Sequence, residues 1–93
     1  MSTTTLPLGP DLTIPFAAEA HATLAQAIQA TTGTLVLELS GVSEFDSAGL
    51  QLLLAARRSL AERGLALRLA APSDVVQDAL RVFGLAQLFE AAA

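Results

Sequence analysis

The sequence predicts a single α/β domain over residues 1–93, a small mixed, mainly parallel β-sheet covered by three to four helices. Three observations predict it. Two short apolar runs, Leu35-Val36-Leu37-Glu38-Leu39 and Leu65-Ala66-Leu67-Arg68-Leu69-Ala70, read as strands, and stretches with helical apolar spacing flank them. Strands separated by helices imply parallel pairing through right-handed crossovers. The chain is also 53% hydrophobic with 15% charged residues, which supports a covered core and excludes disorder.

Taken in order, residues 3–8 alternate weakly and are expected as an edge strand, because Pro7 cannot donate to a ladder. Gly9-Pro10-Asp11 is a turn, and Leu12-Thr13-Ile14 a second, very short strand. Pro15 suits the first turn of a helix, where its missing N–H costs nothing. That helix should run from Pro15 or Phe16 to Ala30 on a stripe of Ala17, Ala20, Leu24, Ala27 and Ile28. Its alanines permit close approach to the sheet. His21 lies at the stripe's edge without an acidic or cysteine partner and reads as a partly exposed helical histidine. Thr31-Thr32-Gly33 ends the helix, with Gly33 suited to a left-handed cap.

The run Leu35 to Leu39 is expected as the central strand, covered on both faces. Glu38 is its oddity, since a carboxylate in an apolar run is costly unless paired or near the strand end. It should reach solvent or the loop amides beside residues 40–43. The second helix is expected from about Ser47 to Arg63, stopping at Gly64. Leu50, Leu53, Leu54, Leu60 and Ala61 share one side, with Arg57 snorkelling past them. Leu52 falls nearly opposite, so an exposed leucine is expected one turn from Ser47. Leu65 to Ala70 alternates as a half-exposed or edge strand. Ser73 should cap a third helix whose stripe is Val76, Ala79, Leu80 and Phe83, ended by Gly84. Leu85, Leu88 and Phe89 should fold back as a short final helix, leaving Ala91, Ala92 and Ala93 with nothing to hold them.

Composition narrows function. A net charge of −4 with no lysine argues against nucleic acid and anionic membrane, both of which need clustered cations. No cysteine and one histidine make disulfides, thiol chemistry and structural zinc implausible. No apolar run approaches the ~18 residues of a membrane span. The N-terminus lacks the basic region of a secretory signal, and the absence of cysteine makes a cytoplasmic address the expectation. A serine triad needs a base near the hydroxyl, and the only histidine is in the first helix. A phosphate loop needs Gly-Lys-Ser or Gly-Lys-Thr, and Gly41 and Gly49 lack dinucleotide spacing. No enzyme activity and no cofactor or metal are therefore expected.

The carboxyl ends of parallel strands favour function, which directs attention to residues 40–47. Asp46 and Ser47 stand where helix amides lack intrahelical partners and carry partial positive charge. A hydroxyl there is either a cap or a phosphate acceptor. A phosphate would gain from the free amides and be repelled by Asp46, a small effect on the fold and a large one on a docked partner.

The run Gly41-Val42-Ser43-Glu44-Phe45-Asp46-Ser47-Ala48-Gly49-Leu50 resembles the signature of the STAS domain, the anti-sigma-factor antagonist family. That signature is a buried strand, a loop, then Asp-Ser or Asp-Thr, a small residue and Gly-Leu. Leu35 to Leu39 resembles the strand before it, with Glu38 where Asp is usual. Ala71-Pro72-Ser73 and Phe83-Gly84-Leu85 resemble the later loop and the end of the third helix, so the likeness spans residues 11–90. It implies a mixed sheet with helices packed against it and no catalysis. In antagonist members the serine after the Asp is phosphorylated by a partner kinase that is also an anti-sigma factor. The unphosphorylated antagonist binds that kinase and frees the sigma factor. Ser47 matches the acceptor, and Asp46 and Gly49 match its neighbours.

Two features depart from the antagonist pattern. Ala48 stands where a second hydroxyl is common, and the N-terminal region is short and proline-broken where two good strands are usual. The run Ser47-Ala48-Gly49-Leu50-Gln51-Leu52-Leu53-Leu54 is similar to compact STAS proteins of bacterial chemotaxis operons. It is similar also to the small STAS subunit of lipid-transport ABC systems, which grips its ATPase through this helix start. The resemblance thus implies a bacterial signalling module that docks a protein through residues 40–54, with Ser43, Asp46, Ser47, Ala48, Gly49, Gln51 and Leu52 as contacts. Two readings stay open, a switch worked by an anti-sigma serine kinase at Ser47 and a constitutive subunit bound to an ABC transporter ATPase or a chemotaxis protein. A small-ligand or nucleotide binder is a third class, and failure of nucleotides to raise the melting temperature would dispose of it. The alanine-rich face of the first helix and Leu52 each offer a surface for a homodimer.

Overall fold

A computed structural model describes residues 2–89. In chain order its elements are β1 (Thr3–Pro7), β2 (Asp11–Leu12), a 3₁₀ turn at Ile14–Phe16, α1 (Ala17–Ala30), β3 (Thr34–Glu38), β4 (Glu44–Phe45), α2 (Ser47–Glu62), β5 (Ala66–Ala70), α3 (Asp74–Val82) and a 3₁₀ turn at Ala86–Leu88. The main sheet has the order β1–β3–β5, and β2 pairs with β4 separately; all these pairings are parallel. The expected α/β architecture, with parallel strands joined through helices, is the one observed. The expectation for the last three alanines lies outside the described residues.

β1 is an edge strand, as Pro7 requires. Leu8 donates its amide to the Glu38 carbonyl, and Thr34 donates to the Ser2 carbonyl. Even-numbered residues of β1 therefore bond inward, and Pro7 falls on the outer side, where its missing N–H breaks no ladder bond. In β3, Leu35 and Leu37 are fully buried, as is Leu39 just beyond it. Thr4 and Leu67 flank Leu35 in register, and Leu6 and Leu69 flank Leu37. Val36 and Glu38 alternate with these and stay half-exposed. The central strand is thus covered on one face only, not both. Its other face carries Thr5, Val36 and Arg68 in one row and Pro7, Glu38 and Ala70 in the next.

α2 is rotated from its expected setting. Its buried residues are Gly49, Leu50, Leu52, Leu53, Ala56 and Leu60, while Ala61 is exposed and Leu54 half-buried. Leu52, expected in solvent, is 9% exposed because α1 packs along that flank of α2. A helix wedged between a sheet and another helix buries a wider arc than the single stripe of a surface helix. The homodimer surface suggested for Leu52 therefore disappears.

Two end signals and one core residue also changed. Gly33 is not left-handed; a Cβ there would collide with the Ser2 carbonyl oxygen, so close backbone approach is what requires glycine. The end of α1 is instead held by Arg63, whose guanidinium donates to the carbonyls of Ile28 and, at 3.1 Å, Thr31. Ser73 occupies the cap position of α3 without making the cap bond, and its buried hydroxyl lacks a hydrogen-bond partner among the described residues. Phe83, expected in the core, is 59% exposed, while Val76, Leu80 and Phe89 are buried.

Candidate functional site

The site grows from the carboxyl end of β3. Glu38 folds back onto the chain after it, its Oε1 accepting the Ser40 amide at 2.8 Å. The Ser40 hydroxyl and then its amide hold the Glu38 carboxyl below the usual carboxylate range. The loop is next pinned to the first turn of the molecule. The amides of Ser43 and Glu44 both donate to the Pro10 carbonyl, at 2.9 and 3.2 Å, and the Ser43 hydroxyl donates to it at 3.4 Å. β4, a strand the sequence reading left inside the loop, then pairs with β2. Two residues of pairing leave too short a pattern to be seen by alternation.

Asp46 is the N-cap of α2. Its backbone is extended, and Oδ1 accepts the Ala48 amide at 2.9 Å. Its Oδ2 accepts the Ile14 amide at 3.2 Å. Ser47 is the first helical residue and is exposed, and among the described residues its hydroxyl makes no hydrogen bond. Of the two residues that could cap the helix, Asp46 does so and Ser47 is left free.

Gly49 is buried against β2 and β4. A Cβ at this position would stand 2.5 Å from the Leu12 carbonyl oxygen and 2.7 Å from the Phe45 ring. Gly49 therefore sets how deeply the helix start sits, and it does not present a surface. Of the expected contact residues, Ser43, Ser47 and Gln51 are exposed, Asp46 and Ala48 are half-buried, and Gly49 and Leu52 face inward.

Two features of this edge escaped the sequence reading. Ile14 and Phe16, on the 3₁₀ turn bound to Asp46, are 71% and 46% exposed. Beside Ser47, a shallow recess of about 350 Å³ between α1 and α2 is lined by Ala17, Ala18, His21, Ala48, Gln51 and Leu52. A larger hollow of about 490 Å³ lies across α1, with Asp11 and Glu19 in its wall. Asp11 there already accepts from the amide and hydroxyl of Thr13. Among the described residues no cluster of three potential ligands could hold a metal ion, and no helix is long and apolar enough to cross a membrane.

The comparisons with known proteins bear on this geometry. A family model described as "Mlab, STAS domain" matches residues 1–90. Among solved structures, the chain is similar to the anti-sigma factor antagonist SpoIIAA in its unphosphorylated form, with TM-score 0.78 and 24% identity over 98% of this chain and 80% of that one. It is similar also to the Bacillus cell fate determinant SpoIIAA in the phosphorylated form, with TM-score 0.72 and 24% identity over 98% of this chain and 83% of that one. At such identity the likeness establishes the fold. No curated protein matches the sequence at a meaningful level.

Proposed function

The chain belongs to the STAS domain family, and from that membership we propose that it is a non-catalytic, cytoplasmic signalling module that docks a protein partner through residues 40–54 and is switched at Ser47. In this reading a partner kinase transfers the γ-phosphoryl group of ATP to the Ser47 Oγ. The kinase's base takes the hydroxyl proton, and ADP leaves. The phosphate then weakens docking by repulsion and by the cost of desolvating it in an interface. The single observation that supports the reading is the division of labour at the helix start. Asp46 caps the helix, which leaves the exposed Ser47 hydroxyl with no structural task.

The test is affinity capture from the native lysate with mass spectrometry of both bait and prey. A serine kinase among the prey, phosphate on Ser47, and weaker capture by Ser47→Asp than by Ser47→Ala are expected. Equal capture by the two variants sinks the switch.

A second reading has its own support. The family model carries the description "Mlab", and Ala48 replaces a second hydroxyl. Here the chain is a constitutive subunit of an ABC lipid-transport or chemotaxis assembly, and Ser47 is a contact. It predicts a stoichiometric complex with Ser47 unmodified.

A further inference from the structure

α3 carries two apolar faces, and the core uses one of them. Val76 and Leu80 are buried. Val75 and Val82 are seven residues apart, which returns them to within ~20° of each other on a helix. Both are exposed, at 40% and 76%. Half-buried Ala79 stands one turn after Val75, and exposed Phe83 one turn after Ala79. Val75, Ala79, Val82 and Phe83 thus recur at helical spacing on the solvent side. Single exposed apolar residues are ordinary, but a contiguous stripe marks an interaction surface. None of these residues belongs to 40–54, so the stripe is no part of the proposed docking edge.

The charges beside the stripe say what fits it. Asp74, Asp78 and Arg81 follow at steps of four and three residues, so they share one flank. Asp78 and Arg81 are paired within the chain, and both side chains stay largely exposed. The flank is acidic toward the start of the helix and basic toward its end, and such a flank complements itself when reversed. We propose that α3 pairs antiparallel with α3 of a second copy of this chain, across a two-fold axis between Asp78 and Ala79. One patch serves both copies in such a contact. Val82 then meets the partner's Val75, and Phe83 covers the same valine. Each Arg81 lies between the partner's Asp74 and the partner's Asp78. The two Asp78 side chains come close at the axis, and the two Arg81 side chains flank them. Apolar contact supplies the attraction, and the charges fix the direction. A parallel pairing would set like charges against each other along the whole flank. α3 has 9 residues and is about 13 Å long. The shared area is therefore at the low end for interfaces, and the dimer is weak and forms with concentration.

The test is sedimentation of the purified full chain up to about 1 mM protein, a concentration at which even a weak dimer is populated. Salt at about 0.15 M confines the net charge of −4 on each copy to a range of ~8 Å. Wild type should sediment as a monomer when dilute and as a dimer when concentrated. Val82→Glu puts a charge in the centre of the stripe and should weaken the dimer about ten-fold or more. Arg81→Glu makes the flank wholly acidic, and Asp78→Arg sets four cations together at the axis, so each should stay monomeric alone. An equimolar mixture of Arg81→Glu and Asp78→Arg alternates the signs across the contact and should recover a defined dimer. All three positions are exposed, and circular dichroism and the melting temperature check that each variant folds. A wild type that is monomeric at about 1 mM overturns the pairing and leaves the stripe to a different protein. A dimer that survives Val82→Glu overturns it too, because another face would then carry the contact. So does a mixture that stays monomeric. No outcome touches Ser47, so partner capture by the Ser47 variants is judged separately.

Discussion

At the scale of single residues, the helix start separates a structural glycine, a structural aspartate and a free serine. Gly49→Ala adds a methyl that meets the Leu12 carbonyl and the Phe45 ring. The gain in helix propensity, ~1 kcal/mol, is outweighed by overpacking against backbone, so urea denaturation should show a net loss of about 1–2 kcal/mol. Ser47→Ala should stay within about 0.5 kcal/mol of wild type in the same assay, because no described hydrogen bond is lost. Glu38 gives a pH prediction. Its folded pKa is depressed by the Ser40 hydroxyl and amide. The contribution is therefore complete above the ordinary glutamate pKa and disappears as pH falls through the lower folded value. An NMR titration should show the Ser40 amide losing its partner only below the ordinary glutamate range, and Glu38→Gln should abolish that transition. The Asp-Ser pattern was legible as a helix start. Which residue caps was not, since aspartate and serine rank nearly equally as caps and tertiary placement of Ile14 decides where the carboxylate is used.

At the scale of elements, the α1–α2 pair holds the edge in place. Leu52 sits in that seam at 9% exposure. Leu52→Ala should cost about 2–4 kcal/mol of stability by chemical denaturation, whereas a surface leucine would show almost no change. Arg63 fastens the last turn of α1 from the end of α2. Arg63→Ala should cost about 1–2 kcal/mol and expose the last amides of α1 to faster hydrogen exchange. The helices themselves were readable from periodicity. The orientation of α2 was not, because a period fixes spacing around a helix but not which neighbours surround it.

At the scale of the molecule, the sheet has one helix-covered face and one open face, and β3 passes between two very different environments. Leu37 is fully buried, and Val36 beside it is half-exposed. Leu37→Thr should cost about 3 kcal/mol or more, while Val36→Thr should cost under about 1 kcal/mol, by the same denaturation measurement. Equal costs would mean that both faces are buried. Read alone, Leu35 to Leu39 is nearly all apolar, and such a run fits a strand covered on both faces. The half-exposed Val36 shows that an apolar side chain on an open face is tolerated.

The sequence by itself determined the α/β architecture, the edge position of β1 and the Asp46-Ser47 helix start. These follow from local chemistry: periodicity, proline's missing donor and the unpaired amides of a helix. Only the tertiary structure decided that Leu52 is inside, that Gly49 and Gly33 serve close approach, that Arg63 ends α1 and that Asp46 reaches Ile14. Each of these depends on a neighbour far away in sequence, and no local pattern specifies which distant backbone arrives beside a residue.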